Sequence, residues 1–151
     1  MRLELTQRTD LAVRALFVLA QRPDRTKAQD LADELASTAT YLPQVMGLLV
    51  AAGWVDSAPG PQGGYRLIGD LDRITVLQLV EVSEGPTDTG QCVLVDRACL
   101  AEGPCVLHEP WSRARSALLD ELASIPLSSV PFPTSASPKG LSVSPESRST
   151  S

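Results

Sequence analysis

One apolar spacing occurs three times in the first fifty residues. Val13, Leu16, Phe17 and Ala20 stand at i, i+3, i+4 and i+7; Ala28, Leu31, Ala32 and Leu35 repeat the pattern, and so do Leu42, Val45, Met46 and Leu49. A helix brings such residues onto one face, so the spacing predicts three amphipathic helices. In the first, Ala12, Ala15 and Leu19 form a second apolar face, which predicts burial on two sides. Thr9 or Asp10 is expected to cap this helix, which runs to about Gln21. Arg22-Pro23-Asp24 breaks the chain, Thr26 opens the second helix, and Gly53 sits where a helix-ending glycine belongs.

Two short strand-like runs follow, Trp54–Ser57 and Tyr65–Leu67, around Ala-Pro-Gly-Pro-Gln-Gly-Gly. They read as a hairpin. Three helices followed by a hairpin make a winged helix, and the short break between helices two and three makes a helix-turn-helix. Thr75-Val-Leu-Gln78 is a capping box opening a fourth helix. Pro110 suits the first turn of a last helix, with Trp111, Ala114, Leu118, Leu122 and Ile125 as its apolar stripe; Pro126 stops it. The expected fold is therefore mainly α. It comprises a winged helix-turn-helix over residues 1–84, a cysteine loop over 85–109, a dimerisation helix over 110–126, and a disordered Ser/Pro-rich tail over 127–151. An apolar stripe that long on so small a domain predicts a homodimer.

The cysteine loop is the sharpest chemical feature. Cys92, Cys99 and Cys105 lie with His108, the only histidine, inside seventeen residues. Thiolates and imidazole suit iron–sulfur clusters and zinc alike, so this crowding points to a metal without choosing between them. Buried free thiols, a Cys3His zinc site and a redox disulfide are the competing readings. An odd cluster of cysteines in a reducing compartment, the expected cytoplasm, argues against a disulfide framework and toward metal or redox chemistry. No apolar run is long enough for a membrane span, and the start lacks the pattern of a signal peptide. With no nucleotide-binding glycine loop, no Ser/His/Asp constellation and no second histidine, neither an enzyme nor a small-molecule substrate is expected.

In a helix-turn-helix the exposed start of the second helix enters the major groove. Those side chains are Thr38, Thr40, Tyr41 and Gln44, while Lys27, Arg25 and Arg66 are available for phosphates. The net charge of −5 runs against a nucleic-acid partner. Residues 1–80 hold eight basic and nine acidic side chains, and residues 81–125 hold three and eight, so the excess acid gathers around the cysteines. A metal-dependent interaction module that has lost DNA binding is thus the alternative to a regulator.

Several short motifs together resemble one family. They are Met-Arg-Leu at the start, Tyr41-Leu42-x-Gln44, Ala52-Gly53-Trp54-Val55, Gly63-Gly64-Tyr65-Arg66-Leu67, and Glu84-Gly85 leading into the three cysteines. Over about residues 1–125 they look like the Rrf-two-type winged-helix regulators of the IscR and NsrR kind. The resemblance implies homodimers joined through the last helix, a palindromic double-stranded operator, repression of transcription on binding, and an iron–sulfur cluster that sets affinity by sensing redox, nitric oxide or cluster status. Cys105-x2-His108-x2-Trp111 is similar to members holding a [2Fe–2S] cluster with three Cys and one His. Thr9-Asp10-Leu11-Ala12 is similar to members holding a [4Fe–4S] cluster, where an aspartate of the partner chain completes the set. The first assignment, with His108 as fourth ligand, is favoured over Asp10, because His108 lies in the same loop as Cys105. Where members often carry a charged recognition residue and a wing arginine, this chain has Pro43 and Pro59.

Overall fold

The computed structural model describes residues 4–87, 90, 94 and 103–132. Helix α1 spans Gln7–Ala20, α2 Ala28–Glu34 and α3 Tyr41–Ala51. Strands β1 (Val55–Ala58) and β2 (Gly64–Leu67) pair antiparallel, with Asp56 opposite Arg66. Helix α4 (Val76–Glu84) and helix α5 (His108–Ser124) follow. The winged helix expected from the sequence is present.

Helix α1 starts earlier than its local pattern indicates. Thr6 is its cap, its hydroxyl accepting from the Arg8 amide at 3.2 Å. Thr9, one of the expected caps, lies buried inside the helix, and its hydroxyl donates to the Glu84 carboxylate. Asp10 is an exposed first-turn residue, 3.4 Å from Arg14. A long-range partner on α4 thus overrides the local signal. Of the two apolar faces predicted for α1, Ala12, Ala15, Leu16 and Leu19 are buried, Val13 and Phe17 are half-buried, and Ala20 is exposed.

Thr26 does not open α2. Its backbone exchanges two 2.8 Å hydrogen bonds with Tyr65, so it lies against the wing, and Lys27 takes the cap position without a side-chain bond. Gly64 makes this approach possible. It has φ +123, and a Cβ there would stand 2.2 Å from the Thr26 carbonyl oxygen. At the other end of α2 the chain turns in a Schellman motif. Ser37 N–H donates to Ala32 O at 2.9 Å and Ala36 N–H to Asp33 O at 3.2 Å. The left-handed position is held by Ala36, at φ 51, where glycine is usual.

The core draws on every element except α5. Leu16, Leu31, Leu42, Met46, Leu49 and Val55 are sealed from solvent, and Leu79 of α4 closes one side. The capping box of α4 is as expected: Thr75 Oγ accepts from Gln78 N at 3.2 Å, and Gln78 Oε1 accepts from Thr75 N at 2.9 Å. Helix α5 packs against α4 but buries no residue. Its half-buried positions are His108, Trp111, Arg115, Leu119 and Leu122; Ala114 and Leu118, two members of the expected stripe, are exposed.

The chain beyond α5 departs from the expected tail. Leu127–Ser129 form a single 3-10 turn, and Leu127 is buried in the core at 1 % exposure. Its amide donates to Ile74 O at 2.8 Å, and Ser128 N–H donates to Leu71 O at 3.1 Å. The rings of Phe132 and Phe17 then stack, centroids 4.7 Å apart. The order of residues 127–132 has a plain cause: the core lacks one large side chain, and Leu127 supplies it. The remainder of the expected tail, 133–151, lies outside the described residues.

Candidate nucleic-acid interface and metal centre

The turn between α2 and α3 presents the expected reading residues in different ways. Thr38 is exposed, but its hydroxyl accepts from Tyr41 N–H at 3.0 Å and its carbonyl accepts from Leu42 N–H at 3.0 Å. It therefore works as a cap that starts α3. Tyr41 is half-buried against the core. Thr40 and Gln44 are exposed one turn apart, and Gln44 Nε2 donates to Thr40 O at 3.3 Å. Pro43 and Gly47 are exposed beside them. Pro43 lies near the start of α3, directly after Leu42, whose N–H makes the bond to Thr38 O; its ring forgoes one early helical bond but leaves the helix intact.

The cations around this surface are mostly engaged. Arg25 is held by the Asp56 carboxylate and donates also to Asp56 O at 3.4 Å and Gly64 O at 3.3 Å, bracing the wing. Arg66 stands across the hairpin, 3.6 Å from the same carboxylate, with 46 % of its side chain exposed. Arg14 donates to Leu35 O at 3.0 Å, and Arg22 pairs with Glu34. Lys27 is exposed, and among the described residues no carboxylate pairs with it. Asp56 was missed as a determinant of this surface. The symmetry of the hairpin about its turn already set it opposite Arg66.

The metal-ligand candidates divide. Cys92 and Cys99 lie outside the described residues. Cys105 and His108 are both half-buried and stand one turn apart at the start of α5, where Cys105 O accepts from His108 N–H at 3.0 Å. Among the described residues no three His, Cys, Asp or Glu side chains converge. The donor types fit a cluster or zinc: a thiol and an imidazole at the positive end of a 17-residue helix suit an anionic metal–thiolate centre. Val106, between them, is 88 % exposed.

Asp10 sits elsewhere in the chain, on the rim of an apolar groove of about 320 Å³ lined by Leu5, Val13, Val76, Leu79 and Val130. Beside it, the Glu84 carboxylate accepts from Thr6 Oγ at 2.6 Å, from the Thr9 hydroxyl, and from Thr6 N–H at 3.0 Å. Those bonds favour the charged form and hold its pKa below the ordinary value, outweighing its small desolvation; nearby Arg8 adds to the effect.

A helix-turn-helix closed by a two-stranded wing is the architecture of a DNA-binding transcription regulator. The chain belongs to the Rrf2 family, described as iron-dependent transcriptional regulators, whose pattern matches residues 5–131. It is 31 % identical over 130 residues to an HTH-type regulator of Neisseria meningitidis serogroup A, covering 85 % of this chain and 87 % of that one. Among solved structures it resembles T. potens IscR (26 % identity, TM-score 0.63, 83 % and 84 % of the two chains). It is equally similar to CymR, the global cysteine regulator of B. subtilis (26 %, TM-score 0.63, 84 % and 95 %). These relatives are transcription regulators rather than enzymes. Among the described residues no helix is long and apolar enough to cross a membrane.

Proposed function

We propose that this regulator binds a palindromic operator as a homodimer, in the cytoplasm, with an affinity set by an iron–sulfur cluster held by Cys92, Cys99, Cys105 and His108. The observation that carries the reading is the position of Cys105 and His108, one turn apart at the head of a helix that buries no residue in its own chain. A helix so exposed offers Ala114 and Leu118 to a second copy, and ligands at its head would tie its direction to the state of the metal site. The family's description as iron-dependent favours iron over zinc. The [2Fe–2S] form with His108 is preferred over a [4Fe–4S] form completed by Asp10 of a second copy, since Asp10 is already beside Arg14. The cluster would supply a charge and a set of bonds that respond to redox state, nitric oxide or cluster supply. The protein's own part is to couple the cysteine loop to α5 and so bias how two recognition helices are presented. Binding would repress transcription, with Lys27, Thr38, Thr40, Tyr41, Gln44 and Arg66 forming the surface that meets DNA.

Anaerobic purification with an absorbance spectrum and iron and sulfide counts tests the cofactor. Two irons and two sulfides per chain are expected, lost in Cys105→Ala and altered in His108→Ala. Colourless, zinc-containing protein that resists reconstitution would overturn it. An Asp10→Ala variant that loses the cluster while His108→Ala keeps it would reverse the choice of fourth ligand.

A further inference from the structure

Between Glu34 and Asp56 the chain carries no charged side chain. This interval contains the whole turn and helix α3. Guanine is most often recognised by a bidentate arginine or lysine, and neither stands on this helix. The neighbouring guanidiniums do not fill the gap, because Arg14 is bound to the end of α2 and Arg25 to the wing.

The outward face of α3 offers other chemistry. Thr40, Pro43, Gln44 and Gly47 are all exposed at i, i+3, i+4 and i+7. Thr40 contributes a methyl group and Pro43 three ring methylenes, surfaces suited to an apolar contact. Gln44 can pair with both major-groove groups of adenine. Gly47 sits in the helix interior, where glycine is disfavoured relative to alanine. Among the described residues nothing requires it: a Cβ there would meet no atom within 4 Å. Bare backbone at an outward position lets a body outside the chain come closer than a side chain would allow.

We infer that α3 reads A·T base pairs, with Thr40 and Pro43 against thymine 5-methyl groups and Gln44 on adenine, and that Gly47 lets the helix lie close in the groove. The inference rests on the reading of α3 as the recognition helix. It goes beyond that reading in naming the base class and the contact chemistry.

The test uses the full-length chain and a pool of double-stranded DNA with a randomised centre. A·T pairs should be enriched in each half-site. Deoxyuridine in place of a contacted thymine removes only the methyl group and keeps the pairing edge. Each such replacement should weaken binding about fourfold, the worth of one buried methylene. In Gly47→Ala the melting temperature should rise while affinity for the selected duplex falls, a combination that a purely structural role would not produce. Half-sites enriched in G·C pairs would overturn the inference and leave α3 as the recognition helix. Deoxyuridine duplexes bound as tightly as thymine duplexes would overturn the methyl contacts, and unchanged affinity in Gly47→Ala would overturn the close approach. A pool not retained above background by cluster-loaded or apo protein would overturn the recognition-helix reading, and the inference with it.

Discussion

Helices α3 and α5 share an apolar periodicity and meet opposite fates. In α3 the periodic residues Leu42, Val45, Met46 and Leu49 are all buried. In α5 none of 17 residues is, and Leu118 keeps 42 % of its surface exposed. Among the described residues, one helix buries its apolar face in the core and the other does not. Amphipathic spacing predicts that a face will be covered; it does not say by which molecule.

The widest separation between the two should come from truncating each. Leu42→Ala removes a fully buried side chain and should cost about 2–5 kcal/mol, read as a lower denaturation midpoint. Leu118→Ala should cost the isolated subunit less than ~0.5 kcal/mol, yet shift the light-scattering mass toward the monomer. A Leu118 variant that loses midpoint stability at every protein concentration and keeps its mass would erase the distinction. A smaller change lies in the turn before α3. Ala36 occupies a left-handed conformation, so Ala36→Gly should stabilise the fold by about 1 kcal/mol, measured by chemical denaturation. A destabilised variant would show that the Ala36 methyl group packs better than its backbone suggests.

Asp56 engages both Arg25 and Arg66. Asp56→Asn should free the more exposed Arg66 for a phosphate, steepening the salt dependence of DNA binding by about one unit of log–log slope. An unchanged slope would place the wing off the DNA backbone. The smallest effect concerns Glu84, whose lowered pKa stabilises the fold while the carboxylate is charged. That contribution is complete above the ordinary carboxylate range and disappears as pH falls through the lowered folded value. Glu84→Gln should therefore melt slightly below the parent at neutral pH and together with it in strong acid. Curves that stay apart in acid would assign the difference to packing.

Much of this was legible in residue spacing. The three helices, the hairpin and the Thr75–Gln78 box follow from local pattern, and the structure contains them. The misreadings have a common physical origin in partners distant along the chain. Thr6 rather than Thr9 caps α1 because Glu84, on α4, engages both hydroxyls. Thr26 leaves α2 because the Tyr65 backbone pairs with it. Leu127 is a core residue set among serines and prolines, and composition over a window conceals a single buried leucine. At the interface, Thr40 and Gln44 were foreseen at the surface, whereas the use of Thr38 as a cap and the hold of Asp56 on two arginines depend on geometry. In the cysteine loop, spacing names candidate ligand types, whereas the placing of Cys105 and His108 one turn apart depends on where α5 begins.

The burial of Leu127 also bears on how the protein is made. A ribosome delivers the chain from its N-terminus, and domains usually close as they emerge. Here the helix-turn-helix and wing emerge first, but Leu127, with its bond to Ile74 O, arrives only after all of α5. A nascent chain ending at Glu84 therefore lacks the leucine that fills its core and lines the α1–α4 groove. Completion of the DNA-reading unit therefore waits on synthesis of α5, which stands between it and its last core residue.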